Sequence, residues 1–228
     1  MSGKHLLVTG FGPFPGVPIN PSAVVARRLA ALARRHGFAG GDVRLLILPT
    51  AYGAIPTHLV PALAEAPGAV LMLGVARRAT QVRVEVRARN RASRLFPDVS
   101  GHVARRLTLA ADGPAERRAT TAAPARATLR RNGIPAIASN DAGRYLCNAA
   151  YFRGLAEAAP VLFIHIPPLP RAGRPGPYRR GRSPVEALAA ALAAVARGLL
   201  ARPSIHRADR AIEENAMGAV PNPISGVL

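Results

Sequence analysis

The sequence predicts an α/β fold: a three-layer α/β/α sandwich with helices on both faces of a mostly parallel, mixed central sheet. Three observations carry this. Short runs such as Val43–Leu48, Ala69–Leu73 and Val161–Ile166 are apolar almost throughout, as strands buried on both faces are. Longer stretches between them place apolar residues at helical spacing. The two kinds of segment alternate along the chain, which is the order of a layered α/β domain.

The elements follow in turn. His5–Val8 reads as a short buried strand running into a Gly/Pro loop, Gly10–Gly16. Asn20 suits an N-cap and Pro21 the first position of a helix through Arg35, with Gly37 closing it. Val43–Leu48 is the second strand, stopped by Pro49. Tyr52–Ala66 reads as a helix whose regularity Pro56 and Pro61 limit. Ala69–Leu73 is the third strand. From Gln81 to Arg89 polarity alternates: Val82, Val84, Val86 and Ala88 fall on one face, Arg83, Glu85 and Arg87 on the other. Residues 90–132 carry turn chemistry and one or two short helices. Ile134–Ala138 is a strand, Ser139–Arg144 a polar loop, Cys147–Ala158 a helix, and Val161–Ile166 a strand stopped by Pro167 and Pro168. After the basic loop Arg171–Arg182, Ser183-Pro184-Val185-Glu186 forms a capping box that opens a helix to about Ala201. Residues 1–201 therefore read as a single domain, and 202–228 as a partly flexible extension with a short helix near Ala208–Glu214.

Composition narrows function. A chain of 228 residues, 49% hydrophobic, suits one large domain, and with 4% aromatics and no Trp its core must come from Leu, Val, Ile and Ala. No secretory signal or membrane span is visible, which predicts a cytoplasmic protein. The net charge of +19 invites a nucleic-acid reading. Against it, Lys4 is the only lysine among 31 basic residues, the arginines are scattered as pairs, and stacking aromatics are few. No specific nucleic-acid partner is expected. The single cysteine, Cys147, excludes an internal disulfide and a cysteine metal cluster. The histidines other than His165 (His5, His36, His58, His102, His206) show no metal-ligand spacing, so no metal is expected. The glycine loop is not a dinucleotide fingerprint: Pro15 stands where the third glycine belongs, and Pro13 lacks an amide for phosphate. No cofactor is expected.

Three residues carry candidate chemistry. Cys147 follows a glycine-containing loop at the start of a helix, where negative charge is stabilised and a thiolate favoured. A lone cysteine is otherwise a small buried hydrophobe. His165 lies near the carboxyl end of the next strand, and in a parallel α/β sheet strand ends meet helix starts on one edge. Its alternative is a hydrogen-bonded core histidine. Glu85 reads, by alternation alone, as a carboxylate paired with Arg83 and Arg87 on a partly solvated strand; the other reading is that it holds a histidine ring. Phe11 and Phe14 suit the walls of a small apolar pocket, or simple core packing.

Read together, the local strings resemble one family. Leu7–Phe14 with Ile19-Asn20-Pro21-Ser22, Ser139–Asn148, and Phe163-Ile164-His165-Ile166-Pro167 resemble the opening, nucleophile and histidine motifs of pyroglutamyl peptidase I. Gly74, Glu85, Asn90, Pro97 and Asp98 resemble its glutamate block. The resemblance spans roughly Leu6 to Ala201. It implies a cysteine exopeptidase that removes N-terminal pyroglutamyl residues through a thioester, an α/β/α sandwich, and often a homotetramer. It carries the triad onto Glu85, Cys147 and His165, and lactam contacts onto Phe11, Phe14, Asn20, Tyr145 and Leu146. The chain departs from the family pattern at Arg77, Arg78 and Ala79, where two glycines and an arginine are usual, and at Leu95, Val99 and Arg144, where arginine, asparagine and threonine are usual. Rival readings are a thiol amidase of the same fold with a changed substrate, and a non-catalytic binding relative.

Overall fold

Bare backbone shapes the first strand. The structure is a computed structural model and describes residues 5–35, 37, 42–169 and 183–202. In it β1 (Leu6–Phe11) runs past the expected end at Val8 and through Gly10. A Cβ on Gly10 would stand 2.9 Å from the Ser22 carbonyl oxygen, so the missing side chain lets helix α1 (Pro21–Arg35) lie directly on the strand. Asn20 caps that helix as expected, its Oδ1 accepting from the Ser22 amide at 3.1 Å. Gly37 takes the left-handed conformation (φ 51°) that closes it.

The sheet then builds outward. β2 (Val43–Leu48) and β3 (Ala69–Val75) pair with β1 in parallel, and β8 (Val161–Ile166) pairs in parallel with β3. β4 (Val82–Glu85) lies antiparallel to β8 and parallel to β7 (Ala136–Ser139), giving the order β2-β1-β3-β8-β4-β7. The reversal has a simple cause. Only a short connection separates β3 from β4, and a parallel return needs a crossover of a dozen or more residues.

The stretch expected as one alternating strand, Gln81–Arg89, is two. At Val86 the chain leaves the sheet, and β5 (Arg87–Arg89) pairs with β6 (Glu116–Arg118) in a separate ribbon. The helix expected over Tyr52–Ala66 is a π-helical turn (Ile55–Leu59) followed by α2 (Val60–Ala64); Pro56 and Pro61 each remove a backbone donor.

Two layers of helix cover the sheet. α1 packs on β1, β2 and β3 and against α5 (Pro184–Leu200), which in turn meets α3 (Ala122–Arg131). The other layer holds α4 (Leu146–Gly154), which contacts β3, β8 and the π-helical turn. The core between layers is aliphatic, with Leu6, Val8, Leu71 and Ile164 fully buried, and Leu188, Leu192 and Leu199 of α5 closing it. Only half the capping box forms at Ser183: its Oγ accepts from the Glu186 amide at 3.2 Å, while the Glu186 carboxylate pairs with Arg28 of α1 at 2.6 Å. The basic loop Arg171–Arg182 and the helix expected near Ala208–Glu214 lie outside the described residues. Among the described residues no helix is long and apolar enough to cross a membrane.

Candidate active site

Three elements place three side chains together. Cys147 is the second residue of α4 and half-buried. His165 is the next-to-last residue of β8, and Glu85 the last of β4. Arg83 pairs directly with His165 across the antiparallel β4·β8 ladder. Two residues along, Glu85 is therefore the diagonal neighbour of His165 on the same face. Running against β8, β4 carries its end away from the rim, so Glu85 sits deeper than the histidine.

That depth overturns the solvated-strand reading of Glu85: it is 0% exposed. Its Oε1 lies 2.9 Å from His165 Nδ1 and 3.7 Å from Arg83 Nε, while Oε2 has no hydrogen-bond partner among the described residues. Arg83 gives its other donors to Ser139 Oγ and the Asp141 carbonyl. The Glu85 backbone is held as well, its carbonyl accepting from the Tyr151 hydroxyl of α4 at 2.9 Å.

The imidazole is almost fully buried, and burial alone would push its pKa down. The charge of Cys147, a hydrogen bond to Cys147 and the Glu85 carboxylate together outweigh that, raising it from 6.5 to about 9. With Nδ1 committed to Glu85, Nε2 is the nitrogen left for the sulfur. The α4 start has no side-chain cap, since Tyr145 at the N-cap makes no such bond. No N-cap side chain therefore competes for the leading amides of this helix, which suits an anion site.

Two residues that stand in the quoted motifs without an assigned role hold this geometry. Gly74 lies opposite His165 in the β3·β8 register. A Cβ there would stand 3.0 Å from Cys147 Sγ and 2.8 Å from the Phe163 ring, so the sulfur occupies space that a side chain would take. A glycine inside a buried strand is itself the signal of such a close approach. Asn148, fully buried, donates to the carbonyls of Arg89 and Arg91 and accepts from the Arg89 amide, fastening α4 to β5. A polar amide just inside a helix start was the available hint.

The sulfur opens onto a cleft of about 1060 Å³, lined in part by all five expected pocket residues. Phe11 is buried and tilts against Phe163 at 6.4 Å between ring centroids. Phe14 is half-buried on the Gly/Pro loop. Asn20 faces the cleft with its amide already committed: Nδ2 donates to the Gly12 carbonyl at 2.8 Å, and Oδ1 accepts from Ser22. Thr50 bonds the same carbonyl at 3.0 Å, so the pair fixes the loop that carries the aromatics. Tyr145 stacks edge-on against Tyr52 and donates its hydroxyl to the Pro97 carbonyl. Leu146 is buried in the same lining. Of the departing positions, Arg77, Arg78 and Ala79 line the cleft, whereas Leu95 is 81% exposed and outside the lining. No group of three or more His, Cys, Asp or Glu side chains poised for a metal occurs among the described residues.

Comparison with known proteins gives one answer. The profile of the pyroglutamyl peptidase family matches residues 4–200. The pyrrolidone-carboxylate peptidase of Deinococcus radiodurans is 36% identical over 172 residues, 71% of this chain and 77% of that protein. The pyrrolidone-carboxylate peptidase of Gloeobacter violaceus is 37% identical over 175 residues, covering 73% of this chain and 82% of its own. The crystal structure of pyrrolidone carboxyl peptidase from Thermus thermophilus superposes with a TM-score of 0.73 at 33% identity, spanning 85% of this chain and 99% of that one.

Proposed function

This chain belongs to the pyroglutamyl peptidase family, a family of cysteine peptidases, and on that premise we propose that it removes the N-terminal pyroglutamyl residue from peptides with Cys147 as nucleophile, His165 as its base and Glu85 as the orienting carboxylate. The observation that carries the reading is the buried contact between His165 Nδ1 and Glu85 at 2.9 Å, with Cys147 near enough to the same ring to raise its pKa.

The chemistry follows from that arrangement. Glu85 fixes the ring orientation and stabilises its cationic form, leaving Nε2 to take the Cys147 proton. The thiolate attacks the carbonyl that joins the lactam residue to the next one. The amides at the start of α4, which no N-cap side chain occupies, receive the oxyanion. The imidazolium protonates the departing amine, leaving a thioester. Water, activated by the neutral imidazole, then attacks it; pyroglutamate leaves and the Cys147 thiol is restored. The lactam carries no charge, so shape together with one or two hydrogen bonds must select it. Phe11, Phe14 and Leu146 supply apolar walls, and the Asn20–Gly12–Thr50 bonding holds those walls in place.

Hydrolysis of pyroglutamyl-aminomethylcoumarin by the purified protein tests the reading. Turnover is expected, blocked by iodoacetamide and absent in Cys147→Ala, whose circular dichroism and thermal unfolding should match the parent. Turnover that persists in folded Cys147→Ala removes the sulfur from the mechanism.

A further inference from the structure

The lip of the cleft is charged on one side. Arg77 and Arg78 follow β3 at the rim that also carries Cys147 and His165, and both are exposed. The Arg77 guanidinium lies 3.7–3.9 Å from where a Cβ would stand on Gly16, which places it across from the turn to the Gly/Pro loop. Arg89 of β5 adds a third guanidinium, half-buried in the same lining. None of these three has a carboxylate partner among the described residues. Arg83, the fourth, is committed to Ser139 and Asp141. Among the described residues the only acidic side chain in the lining is that of Asp141, and one of its oxygens already accepts from the Gly143 amide.

A pyroglutamyl ring is neutral and gives these guanidinium groups no charge to pair with. We propose that the cleft selects peptides in which the one or two residues after the pyroglutamyl group are acidic, a substrate class that rests on the peptidase reading above. An exposed ion pair is weak on its own. Three unpaired charges along a concave rim act together, because a cleft of one sign focuses its field and raises the local concentration of oppositely charged ligand. The preference therefore appears in kcat/KM and fades as salt shortens the screening length. The chain as a whole is strongly basic, so local and global attraction need separating. Removing Arg77 and Arg78 deletes two of 31 basic residues, which barely alters the global field.

The test compares three C-terminally amidated peptides, pGlu-Glu-Glu-Ala, pGlu-Gln-Gln-Ala and pGlu-Lys-Lys-Ala, with neutral pyroglutamyl-aminomethylcoumarin as reference. The expected order of kcat/KM is Glu over Gln over Lys. The acidic peptide should lead its Gln isostere by about tenfold at low ionic strength, and that lead should shrink toward unity at about 0.5 M salt. In Arg77→Ala/Arg78→Ala the lead should fall severalfold at low salt. Equal rates for the Glu and Gln peptides, or a full lead in the double variant, overturn the acidic preference while coumarylamide turnover keeps the peptidase reading. Failure of every substrate, coumarylamide included, overturns the peptidase reading and the preference with it.

Discussion

At the scale of single residues the site turns on one imidazole whose surroundings oppose one another. Burial disfavours the His165 cation, but the charge of Cys147 and the Glu85 carboxylate win, placing its pKa at about 9. The sign of the consequence is fixed. The folded value lies above the ordinary 6.5, so stability contributed by the protonated ring is complete below about pH 6.5 and is lost as pH climbs through about 9. On the proposed mechanism the leaving amine takes the same proton, so kcat/KM should fall on the alkaline side near pH 9. Glu85→Gln removes one of the groups that raise the ring, so its alkaline limb should shift to lower pH, with kcat at the optimum down by on the order of 10²-fold. A pH–rate profile of both proteins checks this; superimposable limbs would detach Glu85 from the imidazole. The three residues were all named in the sequence, yet alternation described the environment of Glu85 wrongly. Period two says which face a residue takes, not whether that face is solvated. The burial of Glu85 comes from β8 and α4 closing over it, and neither is local to the strand.

At the scale of elements, legibility tracked the source of each element's order. β2, β8, α1 and α5 carry their own signals in apolar runs, caps and stops, and they appear nearly where expected. The stretch 81–89 was misread because the break at Val86 is imposed from outside: its amide bonds Ser139 of β7, and its carbonyl accepts from Ala119 beside β6. Residues 90–132 were opaque because much of their order is held by single polar groups. Asn90 bonds Leu109, Ala110 and Gly113, and Asp98 accepts from Tyr52, Ser100 and His102. Strand β3 shows the functional cost of an element's shape. Its Gly74 leaves the room that Cys147 Sγ occupies, and the Phe163 ring on the other side is itself packed against Phe11, Tyr151 and His165. Neither neighbour can yield freely. Gly74→Ala should therefore displace the sulfur and lower kcat by on the order of 10²-fold, the effect of a misplacement near 1 Å. Stability should fall by about 1–3 kcal/mol from overpacking. Steady-state kinetics beside urea unfolding separate the two. A variant with parental kcat would mean that the α4 start shifts without consequence.

At the scale of the whole molecule the arrangement depends on closure of the sheet by α5, the last helix among the described residues. α5 lies on α1 and α3 and buries Leu188, Leu192, Val195 and Leu199, so the layer over β3 is incomplete without it. The family match ends at residue 200, where α5 itself ends. The pattern of caps and apolar spacing had assigned residues 1–201 to one domain and the remainder to an extension. A chain ending at Arg202 tests that boundary. If the domain is complete there, the shortened protein should keep its thermal midpoint, its stability should change by no more than about 0.5 kcal/mol, and it should turn over pyroglutamyl-aminomethylcoumarin at the parental rate. Cutting instead before Ser183 removes α5 and strips apolar cover from β3 and α1, so that chain should fail to fold. Thermal unfolding and turnover of the two truncations decide the matter together. A large loss in the chain ending at Arg202 would mean that residues 203–228 belong to the folded unit, and that the domain boundary read from the sequence is wrong.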